Sequence, residues 1–207
     1  MKHGEPDDDD SFPGDMEPPE LLMEATVRVL AEEGLEGLTL RKVADTAGKN
    51  RGLVHYYFES KADLLASLLD HIQEGTSRLI GLDRADTLAE QLWIALRFHA
   101  YGTGGDDLAG RHYYLAILQL QALAAHDPDI RERATRNHAF VVDLVEEIID
   151  EGIARGVFHP VDAESMAVFL VSAVDGARTT ALSTDAEDIR GSVLEELETW
   201  VVSRLVV

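Results

Sequence analysis

Residues 39–61 read TLRKVADTAGKNRGLVHYYFESK, and this stretch decides the fold. Leu40, Val43, Ala44 and Ala47 recur three or four residues apart, which gives a helix of about two turns a small apolar face. Thr39 stands where its hydroxyl can accept a bond from one of that helix's first amides. Ala47-Gly48 marks its end, because glycine enters the left-handed conformation without a Cβ penalty. Asn50 can cap a second short helix with Val54 and Phe58 on its inner side, leaving Arg51, Leu53, His55, Tyr56 and Tyr57 outside or at the edge. A helix so short is not stable alone, so it must dock on the first and present its other face to something else. Two helices joined this way form a helix-turn-helix.

The groups on the outer face suit DNA. Lys49 and Arg51 offer charge to phosphates or to guanine edges, while His55 and Tyr56 offer planar groups that hydrogen-bond or pack against thymine methyls. Gly52 omits a side chain where the backbone could approach a strand closely. Ser60-Lys61-Ala62-Asp63 reads as a capping box that puts Lys61 in the first turn of the next helix. A lysine there opposes the helix dipole, and phosphate contact would account for it.

With these residues in hand, the stretch resembles the DNA-binding region of TetR-type transcriptional regulators. Thr39, Val43-Ala44, Ala47-Gly48, Arg51-Gly52, Tyr57-Phe58, Ser60-Lys61 and Leu64-Leu65 stand in that family's order and spacing. The resemblance implies that His55 takes a recognition-helix place where the family often has a base-contacting tyrosine. It implies phosphate contacts for Tyr56, Tyr57 and Lys61, and for Thr39 and Arg41 at the start of the first short helix. Lys49 replaces a usual small apolar residue and Asn50 a usual Ser or Thr, so the target sequence does not carry over. The candidate DNA-facing set is therefore Thr39, Arg41, Lys49, Asn50, Arg51, Gly52, Leu53, His55, Tyr56, Tyr57 and Lys61.

The chain of 207 residues is long enough for a small head and a larger body. Four of its six prolines precede residue 20, which favours long helices afterwards. Cysteine is absent, so neither a disulfide framework nor a cysteine metal site is possible. No apolar run approaches the roughly 20 residues of a membrane span, and no signal-peptide pattern opens the sequence. A cytoplasmic protein is expected.

The net charge of −21 looks at odds with DNA binding. By segment, residues 1–19 carry one Lys against seven acids, whereas residues 39–61 carry five bases against two acids. The positive patch is local, and the remainder would repel a duplex and orient its approach. Four lysines against 14 arginines and 39 acids fit adaptation to high internal salt, which screens such self-repulsion; an ordinary acidic surface is the alternative.

The expected class is all-α: a three-helix helix-turn-helix head and a helical ligand-binding and dimerisation body. Residues 1–18 read as a disordered acidic tail, 19–65 as the head and 66–207 as the body. Leu22, Thr26, Val29 and Leu30 predict a first helix over about 20–33, closed by Gly34. A long helix should run from Ser60 to about Ile80, a second body helix over about 86–101, and a loop over GTGGDD at 102–107. Helices over about 108–125 and from Asp127-Pro128 to about Arg155 follow. Asp162 caps the next, over about 163–182, and Thr184 with Glu187 makes a capping box for the last, from about Asp185.

The last two helices are apolar over so much surface that they need cover from more than one neighbour. Phe169 and the residues one turn on, at Ala173 and Val174, with Val193, Leu197, Trp200 and Val201, are the candidate interface. In TetR-type proteins this pair usually forms a four-helix dimer interface, and the resemblance implies the same here. It further implies a homodimeric repressor on a near-palindromic operator, released by a small-molecule effector. Candidate effector-site residues are Trp93, Arg97, His99, Tyr101, His112, Tyr113, Gln119, Gln121, Asp175 and Arg178. Aromatic groups with Asp175 would suit an organic cation, and Arg97, Arg178 and the histidines an anion. A body that senses a protein partner, or activation in place of repression, remains an alternative. No cofactor is called for, and no body histidine has metal-ligand spacing. Nucleophile elbow, zincin, Walker and dinucleotide motifs are all absent, which leaves a helical-bundle enzyme as a distant reading.

Overall fold

In the computed structural model, which describes residues 17–79, 85–101, 108–184 and 189–207, and the side chains of all of these except 75–79, 108, 109, 202 and 203, the first helix, α1 (Pro18–Gly37), is buried on most sides. Leu21, Leu22, Met23, Ala25, Val27, Val29 and Leu30 are all inside, together with Thr26, whose hydroxyl donates to the Leu22 carbonyl at 2.7 Å. A helix so enclosed needs neighbours on opposite faces. Gly34 breaks it at φ +71°, and a last turn leads to Leu38, which is fully buried.

Next come α2 (Leu40–Thr46) and α3 (Arg51–Tyr57), then α4 (Lys61–Leu79), which runs from the head into the body. The remaining helices are α5 (Leu88–Tyr101), α6 (Leu108–Ala124), α7 (Pro128–Ala154), α8 (Ala163–Ser183) and α9 (Ile189–Arg204). Asp127 caps α7 through the amides of Asp129 and Ile130, and Asp162 caps α8 through that of Ser165 at 2.8 Å. Thr87 and Glu90 form a reciprocal capping box at the start of α5 that the sequence reading missed. The acidic tail over residues 1–16, the loop over 102–107 and the box between Thr184 and Glu187 lie outside the described residues. Among the described residues no helix is long and apolar enough to cross a membrane.

Two hydrophobic cores organise the chain. The first joins α1, α2, α3 and the start of α4 to Ala116, Leu120 and Ala124 of α6 and Ile130 of α7. The second joins α5, α7, α8 and α9 around Leu92, Leu96, Val145, Ile149, Leu170 and Leu205. Each large side chain so enclosed is worth about 1.5–3 kcal/mol of burial. The head thus shares its core with α6, and α4 is not its sole attachment. Polar bonds reinforce both seams. Tyr113 donates to the Glu24 carboxylate and Gln119 to the Leu30 carbonyl, tying α6 to α1. Arg133 bonds Asp70, and Asn137 donates to the Leu69 carbonyl at 2.9 Å, tying α7 to α4.

The apolar stripe of α9 faces the second core. Leu194, Leu197, Val201 and Leu205 are buried, whereas Val193 and Trp200 sit at its edge. Beyond α9, Val206 forms an isolated antiparallel bridge with Phe158, with His159 N–H donating to the Leu205 carbonyl at 2.7 Å. Gly152 makes room for that closure, because a Cβ there would stand 1.9 Å from the Phe158 ring.

Candidate nucleic-acid interface

The α2–α3 unit is built by its caps. Thr39 Oγ1 accepts from Lys42 N–H at 3.1 Å, and Asn50 Oδ1 accepts from Leu53 N–H at 3.0 Å. Between them Gly48 takes φ +63°, which a side chain would make costly. Val43, Ala44, Val54 and Phe58 close the inner face. What remains outward on α3 is Arg51, Gly52, His55, Tyr56 and Tyr57, all exposed, with Leu53 half-buried. Tyr56 is 81% exposed and meets Tyr57 edge to face at 5.0 Å. An aromatic so displayed, beside cations and at the end of a docked helix, gains nothing from the fold and is available to a partner.

Other members of the candidate set are placed differently. Lys49 is exposed in the turn, and Arg41, also exposed, lies 3.6 Å from Asp45 on its own helix. Thr39 and Asn50 spend their side-chain oxygens on the caps. Gly52 has a local reason to lack a side chain, since a Cβ would come within 3.1 Å of the capping Asn50 Oδ1. Lys61 is half-buried, and its Nζ donates to the Leu35 carbonyl in the turn after Gly34. Its charge is held by the head's own backbone, at a position where the helix dipole and the family resemblance both pointed to phosphate. Ser60 caps α4 through Asp63 N–H at 3.1 Å, and Asp63 reaches back to Glu59 N–H at 2.9 Å.

The body's polar centre lies where α5, α6, α7 and α8 meet. Asp175 Oδ1 accepts from His99 Nε2 at 2.8 Å and from Arg178 Nη1 at 3.2 Å, while His138 Nδ1 stands 3.7 Å from Oδ2. Burial pushes the His99 pKa down, against the opposing pull of Asp175, so its ring is neutral and donates Nε2–H to the carboxylate. Burial raises Asp175, but the hydrogen bond from His99 and the charge of Arg178 outweigh it, and its pKa ends below the usual range. Arg178 lies over the Tyr114 ring, 4.2 Å from its centroid. Burial lifts the Tyr114 hydroxyl to about 12. Two buried donors here, Tyr114 Oη and Arg178 Nε, have no hydrogen-bond partner among the described residues, and such a group typically costs about 1–3 kcal/mol.

Three of the ten candidate effector residues, His99, Asp175 and Arg178, thus converge. Tyr101 joins them at one remove, since its ring lies 5.0 Å from Arg190, which also faces Tyr114 at 5.7 Å. Four others do not converge with them. Tyr113 and Gln119 point to the opposite side of α6 and hold the head, while Arg97 and Gln121 are exposed. Trp93 packs against the second core, and His112 is half-buried on α6. Tyr114, His138 and Arg190 were missed, although Tyr114 stands beside Tyr113 on a helix with two occupied faces. Among the described residues no cluster of His, Asp and Glu has the makings of a metal site.

Comparison with known proteins bears on both regions. Residues 22–68 match the family model of bacterial regulatory proteins of the tetR family, and residues 106–204 match that of the BetI-type transcriptional repressor C-terminal region. The chain belongs to the TetR family. A curated TetR-type relative, the HTH-type transcriptional repressor AcnR of Corynebacterium diphtheriae, is 26% identical over 186 residues, covering 88% of this chain and 90% of that one. A TetR transcription regulator from Haloarcula marismortui superposes with a TM-score of 0.80 at 29% identity, covering 91% of this chain and 98% of that one. A putative regulator from Saccharomonospora viridis, solved in complex with choline, superposes with a TM-score of 0.79 at 20% identity over 91% and 97% of the two chains, a likeness of fold alone. TetR-family membership makes the α2–α3 unit a DNA-binding head and the protein a transcriptional regulator.

The residues proposed for pairing divide into buried and open. Leu197 and Val201 of α9 are inside the second core, and Ala173 is half-buried. Phe169 is 49% exposed and Val168 44%, with the Phe169 ring 5.5 Å from Trp200. These two rings, with Val161, Asp162, Ser165 and Met166, line a shallow groove of about 280 Å³. The open apolar face therefore belongs to α8, with α9 contributing its edge.

Proposed function

We propose that this protein is a homodimeric repressor that binds a near-palindromic operator through α3 and leaves it when a small molecule enters the body. The observation that carries the reading is the outward face of α3, where Arg51, His55, Tyr56 and Tyr57 are exposed on a helix whose only packed side is Val54. Arg51 and Tyr57, with Lys49 and Arg41, supply contacts to the backbone; His55 and Tyr56 supply contacts to bases. Two heads reach successive major grooves when their recognition helices stand about 34–36 Å apart, so a twofold pairing is part of the mechanism. The open Val168 and Phe169 face of α8 supports that pairing.

Release follows from the shared first core. The head is joined to α6 by Leu120, Ala116 and the Tyr113 and Gln119 bonds, and to α7 through α4. An effector that prefers one arrangement of α6 shifts the separation of the two heads by no more than its difference in affinity for the two states. The test is selection from random duplexes with the full-length protein. An inverted repeat should be enriched, and His55→Ala should change which bases are preferred while leaving the spacing intact. Enrichment of no sequence at any salt would refute the proposal.

A further inference from the structure

Within the ligand-responsive reading just proposed, the polar centre of the body distinguishes between a cationic and an anionic effector. A cation is recruited by a carboxylate and by aromatic faces, and here the protein's own donors and guanidinium groups already lie against both. Asp175 Oδ1 receives His99 and Arg178, and Oδ2 has His138 at 3.7 Å. The Tyr114 ring carries Arg178 at 4.2 Å and Arg190 at 5.7 Å, and the Tyr101 ring carries Arg190 at 5.0 Å. At Asp175 Oδ1 and on the ring faces that Arg178 and Arg190 cover, a quaternary ammonium would have to displace a guanidinium group.

What stands unmatched is of the opposite kind. Among the described residues Arg178 Nε and Tyr114 Oη are buried without partners; the first can only donate, and the second has a proton to give. They belong to side chains stacked on each other from neighbouring helices, Arg178 Cζ lying 4.2 Å from the Tyr114 ring centroid. We propose that the α6–α8 junction seats the carboxylate of an organic acid, which accepts from Arg178 Nε and Tyr114 Oη. A charged acceptor is favoured over a neutral carbonyl because bonds between ionised partners are roughly twice as strong. The seat is also placed to act. Tyr114 lies on the body side of α6, and its neighbour Tyr113 holds Glu24 of α1, so an acid that moves α6 moves the head.

The test uses the full-length protein and calorimetric titration with straight-chain monocarboxylates from acetate to decanoate, benzoate and phenylacetate, the matching primary amides, and choline. At least one acid should bind, with its amide at least tenfold weaker and choline silent. Tyr114→Phe keeps the stacked ring and removes one donor; it should weaken that acid about tenfold while leaving the ligand-free unfolding midpoint unchanged or raised, because an unpaired buried hydroxyl is gone. Arg178→Lys, which lacks Nε, should abolish binding. Failure of every acid to bind, equal binding of acid and amide, or binding indifferent to Tyr114→Phe would overturn the seat and leave an ordered water as its occupant. Operator binding is measured on the same preparation. A protein that selects its operator but binds no acid loses this seat alone, whereas one that selects no operator loses the regulator reading.

Discussion

Arg51 and Lys61 look equivalent in sequence, two cations flanking the recognition helix, yet the structure gives them different work. Arg51 is exposed at the first position of α3, whereas Lys61 donates its Nζ to the Leu35 carbonyl. Arg51→Ala should therefore remove one phosphate contact per chain, two per bound dimer. Each contact contributes about 0.9 to the slope of log affinity against log salt, so the slope should shrink by about 1.8. Across about 50 to 200 mM KCl, the affinity gap between wild type and variant should then narrow roughly twelvefold. Lys61→Ala should leave the slope alone and instead lower stability by about 1 kcal/mol, the lower end for a bond from a charged donor because the side chain is half open to water. The assay is fluorescence anisotropy of a labelled operator over a KCl series, with unfolding curves of both variants alongside. Equal loss of slope in the two variants would mean that Lys61 leaves Leu35 for a phosphate on binding. An unchanged slope for Arg51→Ala would mean that the start of α3 does not face the backbone.

Gly152→Ala places a methyl 1.9 Å from Phe158, so the ring must leave its buried site beside the Phe158–Val206 bridge; a loss of about 2 kcal/mol is expected in denaturant unfolding, against a gain from helix propensity of under about 1. His99 has a folded pKa below its unfolded value, so its contribution is fully present above about pH 6.5 and declines as pH falls from there toward the folded value; thermal midpoints between pH 5.5 and 7.5 should fall with acid, and less so in His99→Gln. With a net charge of −21, the unfolding midpoint should rise steeply from low to molar KCl if the acidic surface is tuned to salt; a flat profile would mark it as an ordinary acidic surface.

The head was legible because its signals are local. Thr39, Asn50, Gly48 and Ser60 act on residues three or four positions away, so a cap or a turn can be read without knowing the rest of the chain. The same holds for Asp127 and Asp162. Effector-site residues were only partly legible, because their roles depend on which face of α6 meets which neighbour. Tyr113 and Tyr114 are adjacent and alike, yet one binds Glu24 across the head seam and the other lies beneath Arg178, 64 residues away in sequence. Periodicity places them on different faces but does not say what each face meets. On α9, Val193 and Leu194 both fit an apolar period, and only packing against the second core decides that the second lies inside. For Lys61, neither the helix dipole nor the family resemblance takes account of a backbone carbonyl arriving from the turn after Gly34.

The central claim is that two chains, paired through the open face of α8, place two copies of α3 in adjacent major grooves. Binding of the full-length protein to inverted repeats of its selected half-site, with the centre-to-centre separation varied base pair by base pair, tests it most directly. The expected result is two chains per duplex and a sharp optimum near one helical turn, about 10–10.5 base pairs or a multiple of it. One chain per duplex, with affinity indifferent to separation, would contradict it.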